Sequence, residues 1–169
     1  LDQLEEANQI YQVTLETSVA SFGEAATETL SVLDNYGKFL NAIDPEMAEP
    51  VLQEALRITT EDDPQRASRM KALGLNLQEL GRTADAEAML SQALNAYKKI
   101  LGENDPDTLS VMVSLAQLNL SQGKINTAQE LFETALPLML EVMDETNLLI
   151  LESKENLAEI YRQQGKFSQ

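Results

Sequence analysis

Three consecutive carboxylates at residues 61–63 are the first candidates for chemistry in this sequence. Carboxylate oxygens are the ligands that hard divalent cations prefer, so Glu61, Asp62 and Asp63 raise the hypothesis of a metal site. Acidic side chains also stabilise the start of a helix, because they complement its dipole and accept hydrogen bonds from its free amides. The next residue, Pro64, is typical of a first helical position. We therefore predict a helix start here rather than a metal site.

A cationic cluster follows and is formed by Arg66, Arg69 and Lys71. Such groups could anchor an acidic side chain or the C-terminal carboxylate of a ligand, so the cluster is a candidate anion anchor. The alternative is that these cations only balance the acids at residues 61–63, as exposed ion pairs often do. The sequence leaves both interpretations open.

The composition gives little support to catalysis. The chain has 169 residues with no His and no Cys, so the usual general bases, thiol nucleophiles and zinc ligands are missing. Gly23, Gly37 and Gly102 are isolated, and no glycine-rich phosphate loop is present. We predict that the chain is not an enzyme and that it holds no cofactor or metal ion.

The net charge of −16 restricts the classes of partner. Nucleic-acid binding depends on Lys and Arg that meet phosphates, and an anionic membrane surface repels an acidic protein. We therefore expect no nucleic acid and no direct membrane binding, and no apolar run is long enough to span a bilayer. The charge favours a basic protein or peptide as partner, although acidic surfaces also serve simply to keep a protein soluble.

Internal repetition reveals the elements that must position these groups. Three sets of glycines, leucines and small residues recur at one equal interval: Gly81, Gly123 and Gly165; Leu73, Leu115 and Leu157; Gly74, Ala116 and Ala158. A second, longer echo relates residues 22–33 to residues 101–112. In each repeat an apolar stripe with helical spacing precedes a glycine, where the chain can reverse in a left-handed turn. The pattern predicts stacked pairs of antiparallel helices.

The predicted layout is a single domain over residues 1–169, with about eight helices. The second helix of a cut repeat comes first, three repeats follow, and the first helix of another cut repeat ends the chain: 1–26, 27–63, 64–105, 106–146 and 147–169. Three Asp-Pro pairs are predicted to place a capping carboxylate before a proline at the first helical position: Asp44-Pro45, Asp63-Pro64 and Asp105-Pro106. Pro137 is predicted to kink its helix or to remove one hydrogen bond.

At these residues the sequence resembles the tetratricopeptide repeat family. The family's pattern of large and small residues is matched in the second repeat by Leu73, Gly74, Leu77, Gly81, Ala86, Leu90 and Ala93. It is matched in the third repeat by Leu115, Ala116, Gly123, Ala128, Phe132 and Ala135. The period of about 42 residues exceeds the usual length of about 34 and resembles the longer, kinesin-light-chain-like subtype. The resemblance implies an all-α fold, a right-handed α-solenoid of antiparallel helix pairs.

The resemblance also implies that a ligand lies in a concave groove lined by the first helices of the repeats. The candidate groove residues are Asp34, Asn35, Lys38, Asn41, Lys71, Leu75, Gln78, Val113, Ser114, Gln117, Leu120, Glu155, Asn156, Glu159 and Arg162. Among them, Val113 and Leu120 suggest an apolar floor. The Lys and Asn clamp that some family members place around a terminal carboxylate is absent, because Leu75 takes the place of its asparagine. The identity of the partner therefore does not carry over.

Two functions remain open at this stage. The first is a protein-interaction scaffold that binds a peptide or a helix of its partner in the groove. The second is a structural or regulatory module of a larger multidomain signalling protein, with the groove filled by the same chain or by self-association. A homodimer through the cut repeat ends would be one form of the second function. The sequence does not decide the compartment.

Overall fold

The computed structural model describes residues 2–165, which form eight α-helices. They are α1 (Asp2–Phe22), α2 (Thr27–Asn41), α3 (Pro45–Ile58), α4 (Arg66–Glu79), α5 (Thr83–Ile100), α6 (Pro106–Ser121), α7 (Ile125–Val142) and α8 (Leu148–Gln163). The chain divides into two compact units, Leu1–Arg82 and Thr83–Gln169. The first unit contains α1 to α4 and the second contains α5 to α8.

In the first unit, α2 packs between α1 and α3, and α4 packs on α3 and reaches α2. The largest buried apolar side chains of α2, α3 and α4 are Leu30, Leu33, Tyr36, Leu40, Leu52, Leu73 and Leu77. Tyr36 also joins α2 to α1, because its ring stacks on that of Tyr11 with 5.2 Å between the centroids. Its hydroxyl donates a hydrogen bond of 2.7 Å to Oδ1 of Asn8, so the phenol keeps a polar partner where it is buried.

In the second unit, α6 lies at the centre and contacts α5, α7 and α8. Its core is a cluster of large and small apolar side chains: Leu109, Met112, Val113, Ala116, Ala128, Phe132, Ala135, Met139, Ile150, Leu157 and Ile160. Phe132 is fully buried in this cluster together with Ala128 and Ala135, both on its own helix. The alternation of small and large residues predicted for the repeat is therefore the packing pattern of this core.

The evenly spaced glycines end the first helices as predicted. Gly81, Gly123 and Gly165 have φ angles of +73°, +73° and +71°, which lie in the left-handed region that favours glycine. The residue after each of the first two glycines donates its amide to a carbonyl five residues earlier, Arg82 to Leu77 and Lys124 to Asn119, both at 2.9 Å. This pairing satisfies carbonyl groups that the helix end would otherwise leave without a donor.

The longer echo in the sequence corresponds to a second, different turn. Gly23 and Gly102 both have a φ angle of +95°. In each turn a buried threonine closes the loop: the hydroxyl of Thr29 donates to the carbonyl of Gly23, and that of Thr108 to the carbonyl of Gly102, both at 2.8 Å. The two turns therefore repeat one local structure in the two units.

Two of the three predicted Asp-Pro helix starts have the expected geometry. The carboxylates of Asp44 and Asp105 each accept the amide of the second following residue at 2.9 Å, and the proline is the first helical residue. The prediction for Asp63-Pro64 was wrong, because α4 begins at Arg66. Asp63 accepts the amide of Gln65 at 2.7 Å with one oxygen, while its other oxygen accepts a hydrogen bond from a residue inside α4. It therefore caps a turn that precedes the helix.

The prolines inside helices do not end them. Helix α7 runs from Ile125 to Val142 through Pro137, and α3 runs from Pro45 to Ile58 through Pro50. Both prolines keep some solvent exposure, so the carbonyl groups that lose an amide partner lie on a side that water can reach.

The left-handed turn at Gly123 leads to a testable prediction about the backbone. A Cβ atom at this position would meet no other atom within 4 Å, so a substitution costs backbone strain without crowding. We expect Gly123→Val to lower the free energy of unfolding by about 1–2 kcal/mol, measured by urea titration. Gly123→Asn is the matched control and should cost clearly less, because asparagine enters this region more easily. Equal stability of the valine variant and the natural protein would contradict the turn.

The contact between α2 and α3 gives a second prediction. A Cβ atom on Gly37 would lie 2.5 Å from Cδ2 and 3.1 Å from Cγ of Leu52, which is itself buried. We expect Gly37→Ala to destabilise the protein by about 1–2 kcal/mol, although alanine favours a helix.

Leu52→Ala alone should also destabilise the protein, because it leaves a cavity. The double variant should lose clearly less than the sum of the two, since the new methyl group then occupies vacated space. Additive losses in the urea titrations would show that the two helices are not in this close contact.

Candidate peptide-binding surface

One position of the repeat lies at the surface in all four first helices. It is the residue directly after the small residue of the repeat, which is buried in α2, α4 and α6 and exposed in α8. The position is occupied by Lys38 in α2, Leu75 in α4, Gln117 in α6 and Glu159 in α8. The side chain is exposed for Lys38 and partly exposed for the other three. A single backbone position thus presents a cation, an apolar group, an amide and an anion.

In the first unit, two polar links join α2 to α4 and lie two helical turns apart. Asp34 receives two hydrogen bonds from Arg69, and Asn41 accepts one from Asn76. The two residues of each link are 35 positions apart in the sequence. The number of residues from Asp34 to Asn41 on α2 therefore equals that from Arg69 to Asn76 on α4. Between the links α2 presents Lys38, whose side chain forms no hydrogen bond or ion pair within the described structure.

Arg69, a member of the predicted anion anchor, is buried and already paired. Only 5% of the residue is exposed. Its Nε and Nη2 each lie 2.9 Å from an oxygen of Asp34, and its Nη1 lies 2.9 Å from Oδ2 of Asp63 and 3.1 Å from the hydroxyl of Thr59. Burial works to lower the pKa of Arg69, but the hydrogen bonds and charges of the two carboxylates outweigh it and raise that pKa. A ligand carboxylate would have to displace one of these partners.

The other two cations of the predicted anchor, Arg66 and Lys71, have surroundings different from those of Arg69. Arg66 donates from Nη1 to the carbonyl groups of Thr59 at 2.8 Å and Leu56 at 3.3 Å, so it closes the C-terminal end of α3. A guanidinium group at this end also complements the helix dipole. Lys71 is partly exposed. The sequence brings the three cations onto one turn and a half of α4, but none of the three is free of intramolecular interactions.

The second link contains a residue that the sequence analysis did not single out. Asn76 is fully buried, and its Nδ2 donates to Oδ1 of Asn41 at 2.7 Å and to the carbonyl of Pro45 at 2.8 Å. Asn41 in turn donates to Oε2 of Glu79 at 2.9 Å. Helical spacing could have identified Asn76 as buried, because it follows Leu73 by three residues and so lies on the inward-facing side of α4.

In the second unit, the prediction that Val113 lies on an exposed face was wrong. Val113 is 1% exposed and belongs to the core. Because α6 contacts α5, α7 and α8, less of its circumference remains at the surface than the sequence pattern suggested. The other predicted residues of α6 are partly exposed: Ser114, Gln117 and Leu120.

Three of the four predicted residues of α8 are charged: Glu155, Glu159 and Arg162. Glu155 and Arg162 are exposed, and Arg162 donates two hydrogen bonds to the carboxylate of Glu159, at 2.6 Å and 2.7 Å. Hydrogen bonds from Arg162 and then from Gln163 lower the pKa of Glu159 to about 2. Its carboxylate therefore stays ionised at any pH near neutrality. Asn156 donates to the carbonyl of Glu152 at 2.9 Å on its own helix.

The acidic residues at 61–63 were the remaining candidates, for a metal site. Among residues 2–165, no three acidic side chains lie close enough together to hold a metal ion. No helix in that part of the chain is long and apolar enough to cross a membrane.

Comparison with known sequences identifies the repeat in the middle of the chain. Residues 65–141 match the sequence pattern described as tetratricopeptide repeat. No curated protein sequence matches the chain.

Solved structures show the same fold over nearly the whole chain. A proposed kinesin light chain of Podosopora anserina, with nearly identical TPR-like repeats, has a TM-score of 0.80 at 19% identity and covers 98% of this chain and 81% of that one. BtubC (BKLC) of P. vanneervenii has a TM-score of 0.76 at 16% identity, covering 96% and 66% of the two chains. PcrH of Pseudomonas aeruginosa has a TM-score of 0.58 at 20% identity, covering 80% and 93%. The left-handed glycine turns, the small-to-large packing and these matches agree: residues 65–141 match tetratricopeptide repeats, and the chain has an all-α solenoid fold similar to that of the kinesin-light-chain-like repeat structures.

Proposed function

We propose that this protein is a scaffold for protein–protein interaction and that it binds an extended peptide or a helix along the exposed side of its first helices. The observation that carries the proposal is the position occupied by Lys38, Leu75, Gln117 and Glu159, which is accessible in every first helix and chemically different in each. Residues that only maintain a repeat tend to stay alike from one repeat to the next. A position that is exposed and varied is suited to selecting a ligand.

In the first unit, Asn35 and Lys38 are the residues of α2 that we expect to meet the ligand. Both are exposed, and within the described residues neither side chain has a hydrogen-bond partner. An asparagine amide can donate to and accept from the backbone of an extended peptide at the same time. The two links between α2 and α4 hold this surface in one arrangement, which lowers the entropy lost on binding.

Arg69 enters the proposal as a positioning residue rather than as the ligand anchor. Its guanidinium group connects α4 to α2 through Asp34 and to the preceding loop through Asp63. Lys38, exposed beside this link, is the cation that a ligand carboxylate can reach without breaking an existing ion pair.

In the second unit, we expect Gln117, Leu120, Glu155 and Glu159 to form a mixed apolar and acidic surface. Leu120 is partly buried and packs at the edge of the core, while Glu155 is exposed. Such a surface fits a ligand segment with one apolar side chain near a basic one. We assign no catalytic role to any residue, in keeping with a family whose repeats serve as scaffolds.

The proposal is tested by selecting peptide ligands from a displayed library on the natural protein and then on two variants. We expect Asn35→Ala combined with Lys38→Ala to weaken the selected peptides about tenfold or more, because their partners at the surface of α2 are lost. Lys99→Ala in α5 is the control, since it removes another exposed lysine outside the proposed surface.

Equal binding by the double variant and the natural protein would overturn the proposed surface in the first unit. The alternative is that the surface serves self-association. In that case sedimentation equilibrium would show a dimer, and the selected peptides would no longer bind once the dimer has formed.

The role of Arg69 gives a prediction about stability. We expect Arg69→Val to lower the free energy of unfolding by about 2 kcal/mol or more, because it leaves the partly buried Asp34 and Asp63 without their cation. Combining it with Asp34→Leu should recover part of this loss, since an apolar pair can replace a buried ion pair. Urea titration measures both. If Arg69 anchored a ligand and had no structural role, the Arg69→Val variant would lose peptide binding but keep the stability of the natural protein.

A further inference from the structure

Lys38 is an exposed cation whose natural partner on its own helix is held by another residue. Asp34 precedes Lys38 by four residues on α2, and an acid at this spacing before a lysine commonly pairs with it. Among the described residues, however, Lys38 forms no ion pair. Both oxygens of Asp34 accept hydrogen bonds of 2.9 Å from Arg69 of α4 instead. A residue on a different helix therefore withholds Asp34 from Lys38.

Two other pairs of charged residues show that an acid and a cation on one helix of this protein do pair when both are available. In α3, Nη2 of Arg57 lies 2.6 Å from Oε1 of Glu54. In α8, Nη2 of Arg162 lies 2.6 Å from Oε1 of Glu159. All four of these side chains are substantially exposed, so exposure to solvent alone does not explain why Lys38 stays unpaired.

The pairing of Asp34 with Arg69 has a geometric cause. A guanidinium group presents two parallel N–H donors that fit both oxygens of a carboxylate, whereas the ammonium group of a lysine acts as a single point charge. Arg69 is also buried and fixed from its other side, since its Nη1 lies 2.9 Å from Oδ2 of Asp63. Arg69 therefore competes for Asp34 more effectively than the exposed side chain of Lys38.

This arrangement of an acid and a cation is confined to α2 among the four first helices. The corresponding pairs of residues do not join an acid to a cation: Lys71 and Leu75 in α4, Val113 and Gln117 in α6, and Glu155 and Glu159 in α8. Leu75, which corresponds to Lys38, stays partly exposed although α2 packs beside α4. The access of a ligand to this position is therefore a property of the repeat.

We propose that Arg69 sets the specificity of the surface on α2: by holding Asp34, it leaves Lys38 to bind an acidic side chain of the ligand. The inference rests on the function proposed above and names one chemical group of the ligand. We expect a side chain of Asp or Glu rather than a terminal carboxylate, because Leu75 replaces the asparagine of the clamp for a peptide end. Arg69 is a positioning residue, since it acts on the ligand only through Asp34 and Lys38.

The test uses peptides selected on the natural protein, each compared with a copy in which one Asp or Glu is changed to the corresponding amide. The acid-to-amide ratio is the affinity of the first peptide divided by that of the second, measured by fluorescence anisotropy. We expect a ratio of about five on the natural protein, as for an exposed ion pair. On Lys38→Met, which keeps the length of the side chain without its charge, we expect a ratio of about one.

The variant Arg69→Lys separates positioning from stability. Lysine keeps the charge but cannot bond both oxygens of Asp34, so Asp34 becomes available to Lys38 and the acid-to-amide ratio should fall toward one. A structural loss alone would weaken both peptides alike and leave the ratio unchanged. Adding Asp34→Asn should restore the ratio, because an amide does not neutralise Lys38. Arg57→Lys, in an exposed ion pair of α3, is the matched control and should keep the natural ratio.

A second variant leaves Arg69 in place and so does not depend on the tolerance of its buried site. Asn35→Glu puts an exposed acid three residues before Lys38, at the spacing of Glu54 before Arg57. We expect this new acid to pair with Lys38 and to lower the acid-to-amide ratio toward one.

The outcomes distinguish this inference from the proposed function. An unchanged ratio in Arg69→Lys or in Asn35→Glu would overturn the inference, as would selected peptides that contain no acidic residue. A loss of binding on amidation of the peptide's C-terminus, equal to that expected for the side chain, would make the terminal carboxylate the partner and also overturn it. In all these cases peptides still bind, so the proposed function stands. Failure to select any peptide would overturn the proposed function and this inference together.

Discussion

The close approach of neighbouring helices is the constraint on which the other features depend. Gly37 lies so near Leu52 that a single added carbon would be 2.5 Å from its side chain, and Ala116 is likewise fully buried in the second unit. A small residue that faces inward fixes the rotation of its helix. The next residue is then turned by about 100° toward the surface, which is why Lys38 and Gln117 are accessible. The packing requirement thus selects which positions a ligand can meet.

At two positions of the repeat, the helices of the first unit are held together by polar side chains and those of the second unit by apolar packing. Arg69 and Asn76 form the polar links of the first unit, and one repeat later their places are taken by Val111 and Leu118, both fully buried. A buried ion pair often contributes no more stability than well-packed apolar residues, so the difference is not explained by stability alone. Polar links have directional geometry and fix one arrangement of α2 against α4, which is consistent with a surface that must be rigid to bind.

The helices and their turns could be predicted from the sequence because the periodicity of apolar and small residues reflects them directly. The exposure of the candidate site residues could be predicted less well, because burial depends on tertiary contacts. The equal spacing of the repeat located the turns at Gly81 and Gly123. The longer echo related residues 22–33 to residues 101–112 without predicting a turn, and the structure shows that Gly23 and Gly102 share one φ angle. Val113 was misplaced since a helix with neighbours on three sides buries residues that a two-sided stripe leaves exposed. The sequence left open whether Arg69 anchors a ligand or balances the acids at residues 61–63, and it bonds to one of these acids, Asp63. Its other carboxylate partner, Asp34, could not be identified from the sequence because it is 35 residues away.

Charge is distributed unevenly along the chain. Residues 1–37 contain seven acidic residues and no Lys or Arg. The surface on α2 contains Lys38, the first cation of the chain, beside the paired Asp34 and Arg69, so its local charge is close to balanced. Screening over about 10 Å keeps such local fields distinct at ordinary salt concentrations. A net charge of −16 therefore does not act as one uniform property of the molecule, and Lys38 can attract a ligand carboxylate although the protein as a whole is acidic.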